Sequence, residues 1–214
     1  MASSPQTSTP ESPLPCTWQP LSGCEGCPSH GKLMCRLDGK DMLQFFMIIL
    51  PFGVATIGGA IQAGYGWYLL FWLAYSLFFF FVWEAYVLCR HCPFWAEEKS
   101  ILRCHANYGV IKIWKYQPGP MSKAEKAQFV VGALVWVAFP FPFLLLGQEY
   151  LLAAIGACAA ISGIFILKIS VCNRCVNFSC PMNAVPRPLV DVYLSLNPQI
   201  KAAWEASGYR SEKS

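Results

Sequence analysis

The chain has 214 residues, of which 55% are hydrophobic and only 13% are charged. Because a soluble domain carries about 25% charged residues, this composition excludes an ordinary soluble protein, and the long uncharged stretches indicate a chain that is embedded in lipid. An integral membrane protein is therefore expected.

Four apolar runs of about 20 residues each are long enough to cross roughly 30 Å of hydrocarbon. They span 42–62, 66–88, 127–147 and 150–169. No apolar run precedes them, so no cleaved signal peptide is predicted. Only short turns separate the first run from the second and the third from the fourth. The sequence therefore predicts an all-α membrane protein with four transmembrane helices in two hairpins.

Between and beside the hairpins lie small segments that are rich in cysteine. The predicted organisation is an N-terminal cysteine-rich segment (1–41), hairpin 1 (42–88), a cysteine-rich loop (89–126), hairpin 2 (127–170) and a C-terminal cysteine-rich segment (171–214). Within the last segment, Asn197-Pro198 is expected to start a short helix that carries Ile200 and Trp204 on one face.

Local signals refine the helices. Ser122 and Glu125 form a capping-box pattern that predicts the start of the third helix, and prolines at 51, 140 and 142 are expected to bend the first and third helices. Small residues at helical spacing in the first and fourth helices predict close helix contact. They are Ala55, Gly59, Ala63, Ala153, Gly156, Ala157, Ala160 and Gly163.

The distribution of charge predicts the topology. All sixteen Lys and Arg residues lie on or near the side that carries both termini and the central loop, whereas the opposite side has only Glu149. Basic residues near the ends of membrane helices are retained in the cytoplasm. Both termini are therefore expected to be cytoplasmic, most simply in the cell membrane.

Cysteine is the most informative residue type, since ten of the eleven cysteines fall on the predicted cytoplasmic side. With one adjacent histidine they are the candidate metal ligands: Cys16, Cys24, Cys27, Cys35, Cys89, Cys92, Cys104, His105, Cys172, Cys175 and Cys180. Cys158, inside the fourth helix, is expected to be a small packing residue. No catalytic residue is predicted.

Three C-x-x-C pairs, at 24/27, 89/92 and 172/175, are typical of metal binding in a compartment that keeps thiols reduced. A hairpin followed by such a pair and a third cysteine occurs twice, at 89–107 and 172–183, so the two groups could meet over the bundle.

The ligand partition has two alternatives. Cys89, Cys92, Cys172 and Cys175 could form one site and leave Cys104, His105 and Cys180 for a second. The four cysteines before the first helix could also close a site unaided. The spacing does not choose between these alternatives.

Zinc is slightly favoured over an iron–sulfur cluster as the cofactor. Proline follows Cys27, Cys92 and Cys180, as it follows the last cysteine of ferredoxin-type motifs. However, the chain has no C-x2-C-x2-C run, and zinc tolerates these spacings without further requirement.

A thiol–disulfide oxidoreductase is the main alternative. Cys89 and Cys172 follow helix C-termini, where the partial negative charge disfavours a thiolate, so a metal site is the preferred hypothesis. A small transporter or metal-handling protein is a further alternative. It would use Glu84, the one acid within a membrane span, for which a structural salt bridge is the favoured interpretation.

The histidines at 30, 91 and 105 lie outside the helix centres, which excludes a bis-histidine haem between helices. His105 is the best nitrogen ligand, His91 is expected to point away from the ion, and His30 is expected to be solvated. Nucleic-acid binding is not predicted, because the basic and aromatic residues at 111–121 are more typical of a headgroup layer.

In outline, four helices with a cysteine-rich loop between the second and third resemble the zinc-containing protein palmitoyltransferases. Their Asp-His-His-Cys motif is absent, and the nearest string is Arg103-Cys104-His105-Ala106, so that activity is not predicted. The expected function is an anchor, assembly or electron-relay component of a membrane complex rather than an enzyme. Its partners would be the lipid bilayer and protein subunits at the cytoplasmic face.

Overall fold

The computed structural model describes residues 14–20 and 24–211. In these residues the fold is all-helical, without strands apart from one isolated bridge between Ile101 and Ile111. Six helices are used below: α1 (Gly39–Gln62), α2 (Gly66–His91), α3 (Lys123–Leu146), α4 (Tyr150–Cys172), α5 (Arg187–Ser195) and α6 (Pro198–Ala206). The first four are long and apolar enough to span a membrane. The prediction of an all-α, multi-pass membrane protein is confirmed.

The helix boundaries differ from the apolar runs because polar residues extend the helices. α1 begins at Gly39, where Asp38 Oδ1 accepts the Lys40 N–H at 2.9 Å. α3 begins at the predicted capping box, in which Ser122 and Glu125 bind each other's backbone N–H groups. Residues 1–13, 21–23 and 212–214 of the predicted cysteine-rich end segments lie outside the described residues.

α1 packs along α4 through small residues, as predicted. A Cβ atom on Gly156 would lie 3.4 Å from Thr56 Cγ2, and one on Gly59 would lie 3.2 Å from Leu152 Cβ. Such close backbone approach allows dispersion contacts where lipid offers no hydrophobic driving force. The small residues therefore mark the α1–α4 interface. Cys158 does not contribute to it, because its side chain is exposed on the outer face.

α2 packs against α3 mainly through aromatic rings. Trp72 and Trp136 stack with centroids 5.3 Å apart, and Trp72 Nε1 donates to Trp136 O at 3.1 Å. Tyr68 stacks on Phe143 at 4.0 Å. α3 breaks at Phe139 and Pro140, in agreement with the predicted bend, whereas α1 runs helically through Pro51.

At one end of the bundle, the segments before α1, between α2 and α3, and after α4 pack together into one unit, which we call the cap (residues 14–38 without 21–23, 92–122 and 173–211). Its core joins side chains from all three segments, including Leu33, Leu102, Val176, Tyr193 and Trp204. α6 starts at Asn197-Pro198 as predicted and buries Ile200 and Trp204 in this core. The cap therefore covers the end of the bundle at which α2 and α4 end and their cysteines lie.

Candidate metal centre

Five thiols from separate parts of the chain lie together beside the end of α2, and we call them the central thiol group: Cys89, Cys92, Cys104, Cys175 and Cys180. Cys92 is close enough to interact electrostatically with Cys89, Cys104 and Cys175. Cys175 interacts in the same way with Cys104 and Cys180. The cysteines that follow hairpin 1 thus meet those that follow hairpin 2.

A backbone N–H donates to one of these sulfurs, because the Asn177 N–H lies 3.5 Å from Cys175 Sγ, two residues earlier in the sequence. The backbone groups of Phe94, Ala106 and Met182 likewise lower the pKa of the cysteine two residues before each of them, against the larger effect of burial. Hydrogen bonds of this kind stabilise the charged form of a thiol. Cys175 therefore sits in a turn that can hold a thiolate.

Asparagine side chains complete the surroundings of the group. Asn107 Nδ2 donates to Cys89 Sγ at 3.3 Å, and Asn183 Nδ2 donates to Cys175 O at 2.8 Å and to Asn177 O at 3.1 Å. The sequence analysis did not single out these asparagines. Their signal is their position three residues after a cysteine, as in Cys104–Asn107 and Cys180–Asn183.

Burial acts against the thiolate form in the metal-free chain. It raises the pKa of Cys104 and Cys175, raises that of Cys92 well above its ordinary value, and raises that of Cys180 to about 12. Reactive redox cysteines have lowered pKa values. These thiols are therefore neutral near pH 7 unless a cation is present.

Glu84 lies next to the central thiol group on the side of the membrane. Its side chain is buried and lies near Cys89 and Cys104. Its Oε2 has no hydrogen-bond partner among the described residues. Within that part of the chain no basic side chain forms an ion pair with Glu84, so the expected structural salt bridge does not form.

The two residues inside the Cys89/Cys92 pair fasten it to the start of α3. Arg90 Nη2 contacts Glu125 Oε1 at 2.6 Å. His91 donates through Nδ1 to Gly119 O at 2.7 Å, and its Nε2 lies 3.2 Å from the same carboxylate oxygen. His91 thus points away from the thiols, as the sequence analysis expected, and holds the turn in place.

A second set of thiols, which we call the N-terminal thiol group, lies in the first segment of the cap: Cys16, Cys24, Cys27 and Cys35. Cys35 interacts electrostatically with all three of the others. Burial raises the pKa of Cys16 and raises that of Cys35 to about 12. The four cysteines before α1 therefore lie in one neighbourhood, and whether they form one site, as one of the two partitions predicts, stays a prediction.

The remaining candidates lie at the edges of these groups. Cys172 interacts with Cys175 and Cys180. The thiol partners of Cys92 include Cys104, which the first predicted partition assigned to a different site. His105 Nε2 accepts the Asp38 N–H at 3.2 Å and lies 3.8 Å from Asp41, and burial lowers its pKa. The structure thus directs this ring nitrogen to the start of α1. His30 is exposed, in agreement with its predicted solvation.

In the described part of the chain, no three His, Cys, Asp or Glu side chains already converge on one point as the ligands of a bound ion do. All eleven cysteines are free thiols. Neither thiol group is bridged by disulfides, and each would have to close by side-chain rotation around an ion. No protein-family model, curated protein or solved structure matches the chain.

Proposed function

We propose that the protein is a membrane-embedded metal–thiolate protein whose central thiol group holds a zinc ion or an iron–sulfur cluster. It would serve as an anchor, assembly or electron-relay component of a membrane complex. The observation that carries this proposal is a buried group of thiols that receives hydrogen bonds, from Asn107 Nδ2 to Cys89 Sγ at 3.3 Å and from the Asn177 N–H to Cys175 Sγ at 3.5 Å. Both kinds of centre use the same chemistry, in which thiolates bind a cation.

The electrostatics of the group support a cation. An unpaired buried charge is costly, and several thiolates in one buried place would also repel one another. Asn107 Nδ2 and the Asn177 N–H nevertheless donate to the sulfurs of Cys89 and Cys175, and such donors favour the charged form of a thiol. A bound cation resolves this conflict, because it deprotonates thiols outright and its binding then contributes to folding.

The same observations weigh against the alternative of a thiol–disulfide oxidoreductase. Catalysis by thiol exchange needs an accessible thiolate, whereas Cys89 and Cys92 are buried and burial raises the pKa of Cys92 well above its ordinary value. Neutral, inaccessible thiols exchange slowly. Metal ligation therefore suits this environment better than redox cycling.

The cap is proposed to face the cytoplasm. Every Lys and Arg among the described residues lies in the cap or in the helix ends beside it, and Glu149 is the one charge at the opposite end of the bundle in those residues. An amine reagent that cannot cross membranes tests this orientation on intact cells. We expect no labelling of Lys32 or Lys201 until the membrane is opened, and labelling before that point would place the cap outside.

Metal analysis of the full chain, purified without oxygen in detergent, tests the proposed function. Stoichiometric zinc without a visible band would identify a zinc site, and iron with labile sulfide and a broad visible band would identify an iron–sulfur cluster. The double variant Cys92→Ser/Cys175→Ser is expected to lose the central metal. The matched control Cys158→Ser should keep it, because that thiol lies on the outer face of α4.

Two results would overturn the proposal. One is a central thiol group that contains no metal although all its thiols are intact and reduced. The other is metal content that is the same in the double variant as in the unaltered chain. A metal-free protein whose thiols cycle reversibly to disulfides would support the oxidoreductase, and Glu84-dependent ion flux in vesicles would support a transporter.

A further inference from the structure

We infer that the N-terminal thiol group is a second and separate metal site, which binds one zinc ion through Cys16, Cys24, Cys27 and Cys35. In this role the zinc ion fastens the first segment of the cap to the α5–α6 pair. This inference does not depend on the central thiol group, since it uses a different set of sulfurs and different neighbours.

Arg36, the residue after Cys35, brings the parts of the group together. Its Nη1 donates to Thr17 O, next to Cys16, at 3.0 Å, and its Nη2 lies 3.4 Å from Cys24 Sγ. The electrostatic interactions of Cys35 with Cys16, Cys24 and Cys27 agree with this arrangement. Four sulfurs are the number that a tetrahedral structural zinc site needs, and such a site leaves no position open for a substrate.

The local chain geometry suits a C-x-x-C zinc turn. The Cys27 N–H donates to Cys24 O at 3.2 Å, and the His30 N–H donates to Cys27 O at 3.0 Å. These bonds close two successive tight turns, the first of which includes both cysteines of the pair. In such turns two thiolates can both reach an ion at about 2.3 Å from each sulfur.

Donors from outside the C-x-x-C turn reach two of the sulfurs. Arg36 Nη2 lies 3.4 Å from Cys24 Sγ, and Asn197 Nδ2 lies 3.3 Å from Cys16 Sγ. A zinc ion with four thiolates carries about two net negative charges, and the guanidinium group offsets part of them. Both contacts use groups that only donate, as thiolate ligands require.

Asn197 joins the site to the C-terminal tail. Its Oδ1 accepts the Cys16 N–H at 2.7 Å, and its Nδ2 also donates to Tyr193 O at 2.7 Å. One buried amide thus holds both the backbone and the sulfur of Cys16 at the junction of α5 and α6. Thr17, the next residue, hydrogen-bonds the Tyr193 hydroxyl at 2.9 Å. Closure of the four thiols around zinc would therefore fix the tail as well.

Zinc analysis of two matched double variants tests the inference. Cys24→Ser/Cys27→Ser should lose one equivalent of zinc and keep the metal of the central thiol group. Cys92→Ser/Cys175→Ser should lose the central metal and keep that equivalent of zinc. If the proposed function fails, the second variant will have the same metal content as the unaltered chain; if this inference fails, the first variant will. The two failures are therefore distinguishable.

Chelation of the unaltered chain keeps the test independent of misfolding. A zinc chelator should speed hydrogen exchange at residues 14–20 and 187–206 without affecting the helices of the bundle, and added zinc should reverse the change.

The positioning variant Asn197→Ala should weaken zinc binding by about 10- to 100-fold, the usual effect of losing a group that orients a ligand. The inference would be overturned by unchanged zinc content in Cys24→Ser/Cys27→Ser, or by a rate of hydrogen exchange that the chelator does not change.

Discussion

The transmembrane bundle and the cap are stabilised by different kinds of contact. In the bundle, rings stack between α2 and α3 and small residues bring α1 against α4. In the cap, segments that are far apart in the sequence meet through hydrogen bonds to sulfur and amide groups, such as the bond from Asn197 to Cys16, 181 residues away. The bundle therefore depends on shape, whereas the cap combines a hydrophobic core with polar groups that must be satisfied together.

This difference bears on cooperativity. A bundle of apolar helices is stable in lipid because every backbone group is paired within its own helix. The cap has three short segments, each too small to fold alone, and its core forms only when all of them meet. We expect the cap to open without disturbing the bundle, so that the two regions behave as separate cooperative units.

The largest difference in stability between the cap and the bundle is expected when the Tyr193 side chain is removed. The side chain is fully buried in the cap, bonds Thr17 and contacts the Phe178 ring at 5.1 Å. Tyr193→Ala should destabilise the cap by about 3–5 kcal/mol, the usual cost of deleting a buried aromatic ring. Hydrogen exchange measured by mass spectrometry should rise throughout the cap and stay unchanged in α1–α4.

The control for this change is Tyr193→Phe, which keeps the ring and removes only the hydroxyl. It should cost about 1 kcal/mol and accelerate exchange in the cap far less. Equal acceleration in the bundle and the cap would contradict the comparison, because it would mean that the two regions unfold as one unit.

Sequence reasoning predicted the bundle well because its signals are local. Runs without charge marked the four spans, Ser122 and Glu125 marked the start of α3, and Gly59 and Gly156 marked a helix interface. Each of these sequence patterns lies within one helix, or in two helices that the membrane holds side by side. The outward position of Cys158 was missed, since an apolar helix in lipid has no polar face that reveals its orientation.

For the candidate site, the spacing of the cysteines indicated which residues matter but not how they group. The grouping depends on contacts between segments, as when the Met34 N–H donates to Arg174 O at 2.7 Å. No periodicity in the sequence encodes such a contact. The placement of His105 near Asp38 and Asp41 has the same origin, because it depends on how the loop folds back over the start of α1.

A smaller effect is expected where the two hairpin turns meet, at the end of the bundle away from the cap. A Cβ atom on Gly147 would lie 2.2 Å from Ala63 Cβ and 3.0 Å from Ala63 Cα, and backbone cannot rotate away as a side chain can. Gly147→Ala should therefore destabilise the bundle by about 1–3 kcal/mol. Thermal unfolding in detergent, followed by helical circular dichroism, should show a lower Tm.

Gly53→Ala is the matched control, because no other group lies within 4 Å of its added Cβ. It should leave the Tm unchanged or raise it, since alanine favours a helix over glycine by roughly 0.5–1 kcal/mol. Neither variant should alter hydrogen exchange in the cap. Loss of cap protection in Gly147→Ala would show that strain at one end of the bundle reaches the other.

The smallest effect is expected from a polar contact inside the bundle. Ser76 Oγ accepts Trp136 Nε1–H at 2.8 Å and donates to Trp72 O at 2.7 Å. Ser76→Ala leaves the indole N–H without this partner, but hydrogen bonds between membrane helices contribute only about 0.6 kcal/mol on average. Unfolding in detergent should therefore show a loss of stability of that order.

The control is Ser162→Ala. The Ser162 hydroxyl donates within its own helix to Cys158 O and Ala159 O, so its removal should have no measurable effect. A loss of several kcal/mol in Ser76→Ala would contradict the view that the bundle depends on shape, because a single hydrogen bond would then stabilise it as strongly as a buried ring stabilises the cap.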